Sequence, residues 1–270
     1  MADFDVGFIG AGNMAEALCK GVLSAKLIPA KRIIASDVSE QRRRVFTRDL
    51  GVEAVDDNPS VAARAQTIIL AVKPQQMDSV LRQIGPSLAG DKLVVSIAAG
   101  VKTSRIEAAA PSGCRVVRVM PNTPMLVGKG MAAICAGANA AKDDLETASE
   151  IFRCAAQVVT VDEAAMDAVT AVSGSGPAYC FYLAEAMTEA GVAEGLDRPL
   201  AEKLAAATLR GAGELLFASG ESAAELRRKV TSPGGATEAA IRTMDKSGVR
   251  KALIEAVRNA ARRSRELSGA

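Results

Sequence analysis

The chain of 270 residues contains no histidine. That absence removes a group of chemistries at once: no Ser-His-Asp triad, no histidine-activated cysteine and no histidine-ligated metal can be assembled from it. Tryptophan is missing too, and there are only two tyrosines and six phenylalanines. With so few stacking side chains, no basic stripe and a formal charge of only +2, nucleic-acid binding is disfavoured. Cysteine is sparse and scattered, at Cys19, Cys114, Cys135, Cys154 and Cys180, with no C-x-x-C spacing. The five read as reduced, buried thiols of a reducing compartment. No apolar run reaches bilayer-spanning length, no acidic cluster suggests a carboxylate-bound metal, and the first strand pattern begins by residue 4, where a signal peptide would lie. The expectation is a cytoplasmic protein with no metal, whose chemistry, if it is an enzyme, resides in a bound cofactor.

What is present names the class of cofactor. Phe4 to Ile9 reads as a buried strand, and Gly10-Ala11-Gly12-Asn13-Met14-Ala15 leads from it into an apolar helical pattern. This is a G-x-G-x-x-A turn: the first glycine makes the bend, the second admits a pyrophosphate, and Ala15 lets the helix pack closely on the strand. A second strand, Arg32 to Ser36, ends at Asp37, where a carboxylate pairs with a ribose 2′-hydroxyl and repels a 2′-phosphate. Ser36, Ser39, Arg42 and Arg43 lie close by and are suited to cradling that phosphate. The residues alone therefore leave NADH and NADPH both open.

Strand and helix patterns alternate up to about residue 162. Continuous apolar runs at 67–72, 92–97, 114–119, 132–136 and 158–161 predict a parallel sheet covered on both faces, with the last two strands as antiparallel additions. The stretch between the helix over 40–50 and the strand at 67 reads as a short link. From 163 onward every pattern is helical, with Asp197 as an N-cap and Gly248 dividing the last helix. The fold class expected is an α/β N-terminal Rossmann-type doubly wound sheet over 1–162, then an all-α C-terminal domain over 163–270. That helical part is rich in Ala and Leu and short of large core residues, which predicts a homodimer through its apolar faces.

Within it, Val230-Thr231-Ser232-Pro233-Gly234-Gly235-Ala236-Thr237 separates two helical patterns. Pro233 stops one helix, the glycine pair admits a close approach, and Thr237 is expected to cap the next helix. Helix N-termini attract carboxylates and phosphates, although Ser-Pro-Gly-Gly is also common loop punctuation.

With both ends in view, the chain resembles the pyrroline-5-carboxylate reductases over essentially its whole length. The resemblance is carried by Gly10-Ala11-Gly12-Asn13-Met14, Ala71-Val72-Lys73-Pro74, Ser96-Ile97-Ala98-Ala99-Gly100-Val101, Val119-Met120-Pro121-Asn122-Thr123-Pro124, Ser173-Gly174-Ser175-Gly176-Pro177-Ala178-Tyr179 and the Thr231 to Thr237 loop, in the family's order. It implies hydride transfer from NADPH or NADH to 1-pyrroline-5-carboxylate, giving L-proline, with NADPH the family's usual donor. It also implies that backbone N–H groups around Gly234, Gly235 and Ala236 hold the substrate carboxylate. Ser232 would assist, and the Thr237 hydroxyl would lie near the ring nitrogen as the catalytic group. The Ala71-Val72-Lys73-Pro74 turn would meet the cofactor mainly by its backbone, and Ala98 would leave room for the nicotinamide. Asn58 has two readings, a contact to the adenosine side or a turn before Pro59. Glu221 likewise reads as a paired residue near the substrate loop or as a carboxylate at a helix start. The 120–124 segment is a pocket wall or a rigid connection. Ser173 and Ser175 have no general base to activate them, so acyl transfer is set aside. Two other classes compete: a hydroxyacid dehydrogenase, which would want a motif around one of Lys203, Lys229, Lys246 or Lys251, and a nicotinamide-binding scaffold without turnover.

Overall fold

The structure, a computed structural model, describes residues 2–88 and 90–269. The apolar runs form strands β1 (Phe4–Ile9), β2 (Ile33–Ser36), β3 (Glu53–Val55), β4 (Ala65–Leu70), β5 (Leu93–Ser96), β6 (Arg115–Pro121), β7 (Gly130–Ala136) and β8 (Ala156–Thr160). They make one sheet in the order β3-β2-β1-β4-β5-β6-β7-β8. The first six are mutually parallel, β7 runs antiparallel to β6, and β8 lies parallel to β7, so the last two are antiparallel to the rest. Order runs outward from β1 in one direction and from β4 in the other, which places the switch point of a doubly wound sheet between them.

Helices α1 (Asn13–Ser24), α2 (Glu40–Arg44), α3 (Asn58–Arg64), α4 (Met77–Ile84), α5 (Thr103–Glu107) and α6 (Lys142–Arg153) connect the strands. One face of the sheet buries Phe8, Leu18, Phe46 and Phe152; the other buries Ile68, Leu70, Met77, Ile84 and Val116. Phe8 and Phe46 meet edge to face, with ring centres 6.1 Å apart. The expected short link is in fact β3 and α3. Both are brief: β3 has three residues and an exposed edge, and α3 has seven, started by the Asp57 carboxylate, which accepts the Ser60 N–H at 2.8 Å. Elements that short show no period in sequence. A β-carbon at Gly7 would sit 2.6 Å from Val61 Cγ1, so α3 packs onto β1 where the side chain is missing.

The chain divides into two compact units, one running to Gly174 and resuming from Ala260, the other spanning Ser175–Asn259. The division thus falls later than the 162/163 boundary expected from pattern. Residues 163–174 begin with a 3-10 turn, continue through α7 (Met166–Val169) and end in a wide π turn over Thr170–Gly174. Met166 is fully buried against Ala133 and Cys135 of β7. Glu163 accepts the Thr103 N–H at 2.8 Å and its hydroxyl at 2.9 Å, and takes Arg118 of β6 at 3.2 Å. Burial raises the Glu163 pKa and those donors lower it, with a net depression below its ordinary 4.5. Arg118 is 3% exposed, and its other terminal nitrogen has no hydrogen-bond partner among the described residues.

The second unit contains α8 (Gly176–Ala193), α9 (Arg198–Ser219), α10 (Ala223–Lys229), α11 (Ala236–Lys246) and the first part of α12 (Val249–Leu267). Asp197 caps α9 as expected, accepting the Leu200 N–H at 2.8 Å. α8 and α9 form a helical hairpin, where Gly191 leaves room for Ala201, whose Cβ would lie 3.2 Å from an added β-carbon. Gly248, at φ +70°, separates α11 from α12. Among the described residues, no helix is long and apolar enough to cross a membrane.

Candidate functional site

Gly10 and Gly12 differ in what requires a glycine. Gly10 follows β1 at φ +95°, and a β-carbon there would press to 2.8 Å from the Ala71 carbonyl oxygen. Its N–H donates to Ser36 O at 2.8 Å, and the Ala71 N–H to Ile9 O at 2.8 Å, so the turn is bound to the ends of β2 and β4. Gly12, in contrast, is extended, and a β-carbon there would meet nothing within 4 Å among the described residues. It is the N-cap of α1 and brings no side-chain cap to the helix start. Open space over uncapped N–H groups is what a pyrophosphate needs.

Around this turn the expected residues gather at the carboxyl ends of neighbouring strands. Asn13 is exposed and Met14 half-buried at the start of α1; Ala71 and Val72 are half-buried after β4; Lys73 is exposed, and Pro74 begins a 3-10 turn. Ala98 follows β5, 4% exposed, its N–H donating to Ser96 Oγ at 3.3 Å. Gly100, beside it, faces Leu267 at the end of α12. Ser36 is buried at the end of β2 and donates its hydroxyl to Asn58 Oδ1 at 2.7 Å, while Asn58 Nδ2 reaches Gln83 at 2.8 Å. Asn58 is therefore a tie between β2 and α4, standing beside the crevice.

Asp37 lies just past β2, and both its carboxylate oxygens accept backbone N–H groups: Oδ2 from Ala11 and Oδ1 from Ser39, each at 2.8 Å. Arg42 Nε donates to the Ala11 carbonyl at 2.6 Å and Nη2 to Glu16 Oε2 at 2.6 Å. Arg43 donates to the carbonyls of Asp37, at 2.7 Å, and Val38, at 3.1 Å. Glu16 is the participant the sequence reading missed. Lys20 above all, and Arg42, hold its carboxyl below the ordinary value against the opposing effect of burial.

Asn122 ties down the segment after β6: it donates to Ser173 O at 3.1 Å and accepts the Met131 N–H at 2.8 Å, which suits a rigid connection and a pocket wall alike. A β-carbon at Gly174 would strike Met120 Cε at 2.4 Å, which accounts for a glycine there by packing.

In the second unit the loop before α11 has its own logic. Gly234 stands at φ +73°, and a β-carbon at Gly235 would come within 2.6 Å of Ser232 Oγ. Gly235 is the N-cap of α11, so Thr237 is not the cap expected; it sits one residue inside the helix, with its side chain released from capping. Ser232, Ala236 and Thr237 are exposed. Glu238, unremarked in the sequence, accepts the Gly234 N–H at 2.8 Å, a carboxylate already seated in the anion-attracting turn. Glu221 precedes α10 and pairs with Lys229 at 2.6 Å, bracing the helix that leads into the loop. Elsewhere in this unit a cavity of about 330 Å3 is lined by residues including Phe181, Glu185, Thr188 and Arg198, none of them expected at a site.

Kinship bears on both regions. A family model described as pyrroline-5-carboxylate reductase dimerisation matches residues 163–267, and one described as NADP oxidoreductase, coenzyme F420-dependent, matches 5–100. A pyrroline-5-carboxylate reductase from Methanosarcina acetivorans is 43% identical over 99% of both chains. One from Pisum sativum is 39% identical over 98% of this chain and 96% of its own. Among solved structures, the Coxiella burnetii reductase superposes with a TM-score of 0.91 at 36% identity, covering 98% of this chain and 99% of that one. The Plasmodium falciparum enzyme, solved with NADP bound, gives 0.88 at 31% identity, covering 99% of each.

Proposed function

The chain belongs to the pyrroline-5-carboxylate reductase family, and from that premise we propose how its residues divide the work. The protein reduces 1-pyrroline-5-carboxylate to L-proline, the last step of proline biosynthesis, using NADPH or NADH. The observation that carries this is the likeness to named reductases over nearly the full length, running through both glycine motifs. The bound reduced nicotinamide supplies the hydride that the C=N carbon accepts.

The chain's own residues bind and orient. Gly10, Gly12, Asn13 and Met14 receive the pyrophosphate at the start of α1, and Ser36, Asp37 and Asn58 border the adenosine end. The 71–74 turn and Ala98 line the nicotinamide side. Around α11, the N–H groups at Gly234, Gly235 and Ala236 take the substrate carboxylate with help from Ser232, and Glu238 yields its place to it. The Thr237 hydroxyl, free of capping duty, hydrogen-bonds the ring nitrogen. Glu221 acts through Lys229, by keeping α10 and the loop after it in place. A protonated imine is already electrophilic and its nitrogen keeps its proton as the amine forms, so orientation suffices and no histidine is needed. The chain works as a dimer assembled through its helical unit.

The test is imine-dependent oxidation of NADPH, and separately NADH, followed at the nicotinamide absorbance with formation of proline. Nucleotide binding without turnover of this imine would overturn the assignment. Thr237→Ala is expected to lower kcat/KM about 10–100-fold, the worth of one hydrogen bond to a charged group. Unchanged turnover would refute its role.

A further inference from the structure

The residues around the glycine-rich turn and the end of β2 are joined in a chain of polar contacts. Ala11, the residue between the two glycines, is gripped on both polar atoms: Asp37 accepts its N–H and Arg42 donates to its carbonyl. Arg42 in turn is bound by Glu16, whose second oxygen takes Lys20 at 2.6 Å. The Arg42 and Glu16 side chains are only 25% and 19% exposed, so solvent screens the pair weakly. Each Asp37 oxygen accepts one N–H and keeps a further lone pair, which suits a neutral ribose hydroxyl and repels a phosphate dianion. An arginine beside such a position is the usual receiver of a 2′-phosphate. Here Arg42 spends its charge on a carboxylate and its geometry on the turn, while Arg43 is held on the Asp37 and Val38 carbonyls.

We infer that Glu16 is a positioning residue for cofactor choice: by fixing the Arg42 guanidinium on the glycine-rich turn it withholds that cation from a 2′-phosphate, and the chain prefers NADH to NADPH. The inference rests on the reductase reading only in taking a nicotinamide nucleotide as the ligand. It departs from the NADPH that family resemblance implies. Taking NADPH well would require Arg42 to leave both Glu16 and Ala11.

The experiment is equilibrium titration of the full chain with NADH and NADPH, read by nicotinamide fluorescence in the absence of imine, for the native protein, Glu16→Gln and Glu16→Gln/Arg42→Gln. The native protein is expected to bind NADH at least ~10-fold more tightly. Glu16→Gln is expected to tighten NADPH ~10-fold and NADH by no more than ~2-fold, with the gain fading as salt is raised. Removing Arg42 in the double variant should abolish the gain. Tighter native binding of NADPH, an equal shift for both nucleotides, or a gain that survives without Arg42 would each overturn the inference. The expected binding order without imine reduction would leave it standing and overturn the reductase reading instead.

Discussion

The two glycines of the turn make opposite experiments. Gly10→Ala puts a side chain at φ +95° and against the Ala71 carbonyl, so it is expected to cost about 2–3 kcal/mol of stability. Gly12→Ala meets no neighbour and is expected to cost no more than about 1 kcal/mol, the worth of a cap, while nucleotide affinity falls ~10-fold or more. Thermal melts beside nucleotide titrations would decide it: a Gly12→Ala protein that binds normally would remove the pyrophosphate from this turn. The glycines were legible in the sequence because their need is local, set by the bend and by what must approach. Glu16 was not, because a glutamate four residues before a lysine on a helix reads as an ordinary surface pair, and its bond to Arg42 crosses 26 positions. Thr237 was misread as a cap for a related reason. Gly235 can hold the extended conformation an N-cap needs, and nothing in the letters says which residue of Gly-Gly-Ala-Thr takes it.

At the scale of elements, long apolar runs betrayed their strands, while β3 and α3 stayed hidden because three and seven residues carry no period. The helical reading of 163–173 was right in kind but concealed its anchoring, which depends on partners far away in sequence. Glu163 joins the start of that segment to α5 and to Arg118, and Arg118 is too buried to be left unpaired cheaply. Glu163→Gln is expected to cost about 2–4 kcal/mol near neutral pH. Because the Glu163 pKa is depressed in the fold, its contribution is fully present above its ordinary value of 4.5 and is lost as pH falls through the lower folded value. The stability gap between native and variant protein, measured by denaturant titration across this range, should therefore be constant above pH 4.5 and close below it. A gap that did not narrow on acidification would show that packing, and not the carboxylate, ties the segment down.

At the scale of the molecule, the first unit buries most of its large apolar side chains and the second leaves most of its own exposed. Phe181, Tyr182 and Phe217 are 61%, 74% and 70% exposed, and Leu200, Leu204, Leu215 and Leu216 extend the same apolar character along α9. A shortage of large core residues was visible in composition; which faces remain bare was not, since α8 and α9 are too evenly apolar for a period to stand out. Such a surface on a chain of net charge +2 is fit for burial against a second copy, in keeping with the dimerisation family that matches it. In a twofold dimer each substitution counts twice. Losing a buried phenylalanine at about 2 kcal/mol per copy weakens association by about 4 kcal/mol, or ~1,000-fold. Phe217→Glu is therefore expected to sediment as a monomer at concentrations where the native chain is a dimer, while Arg82→Glu, on the exposed side of α4, leaves the dimer intact. A native chain that sediments as a monomer, or a Phe217→Glu chain that stays dimeric, would place the subunit contact elsewhere and leave this apolar surface without an occupant.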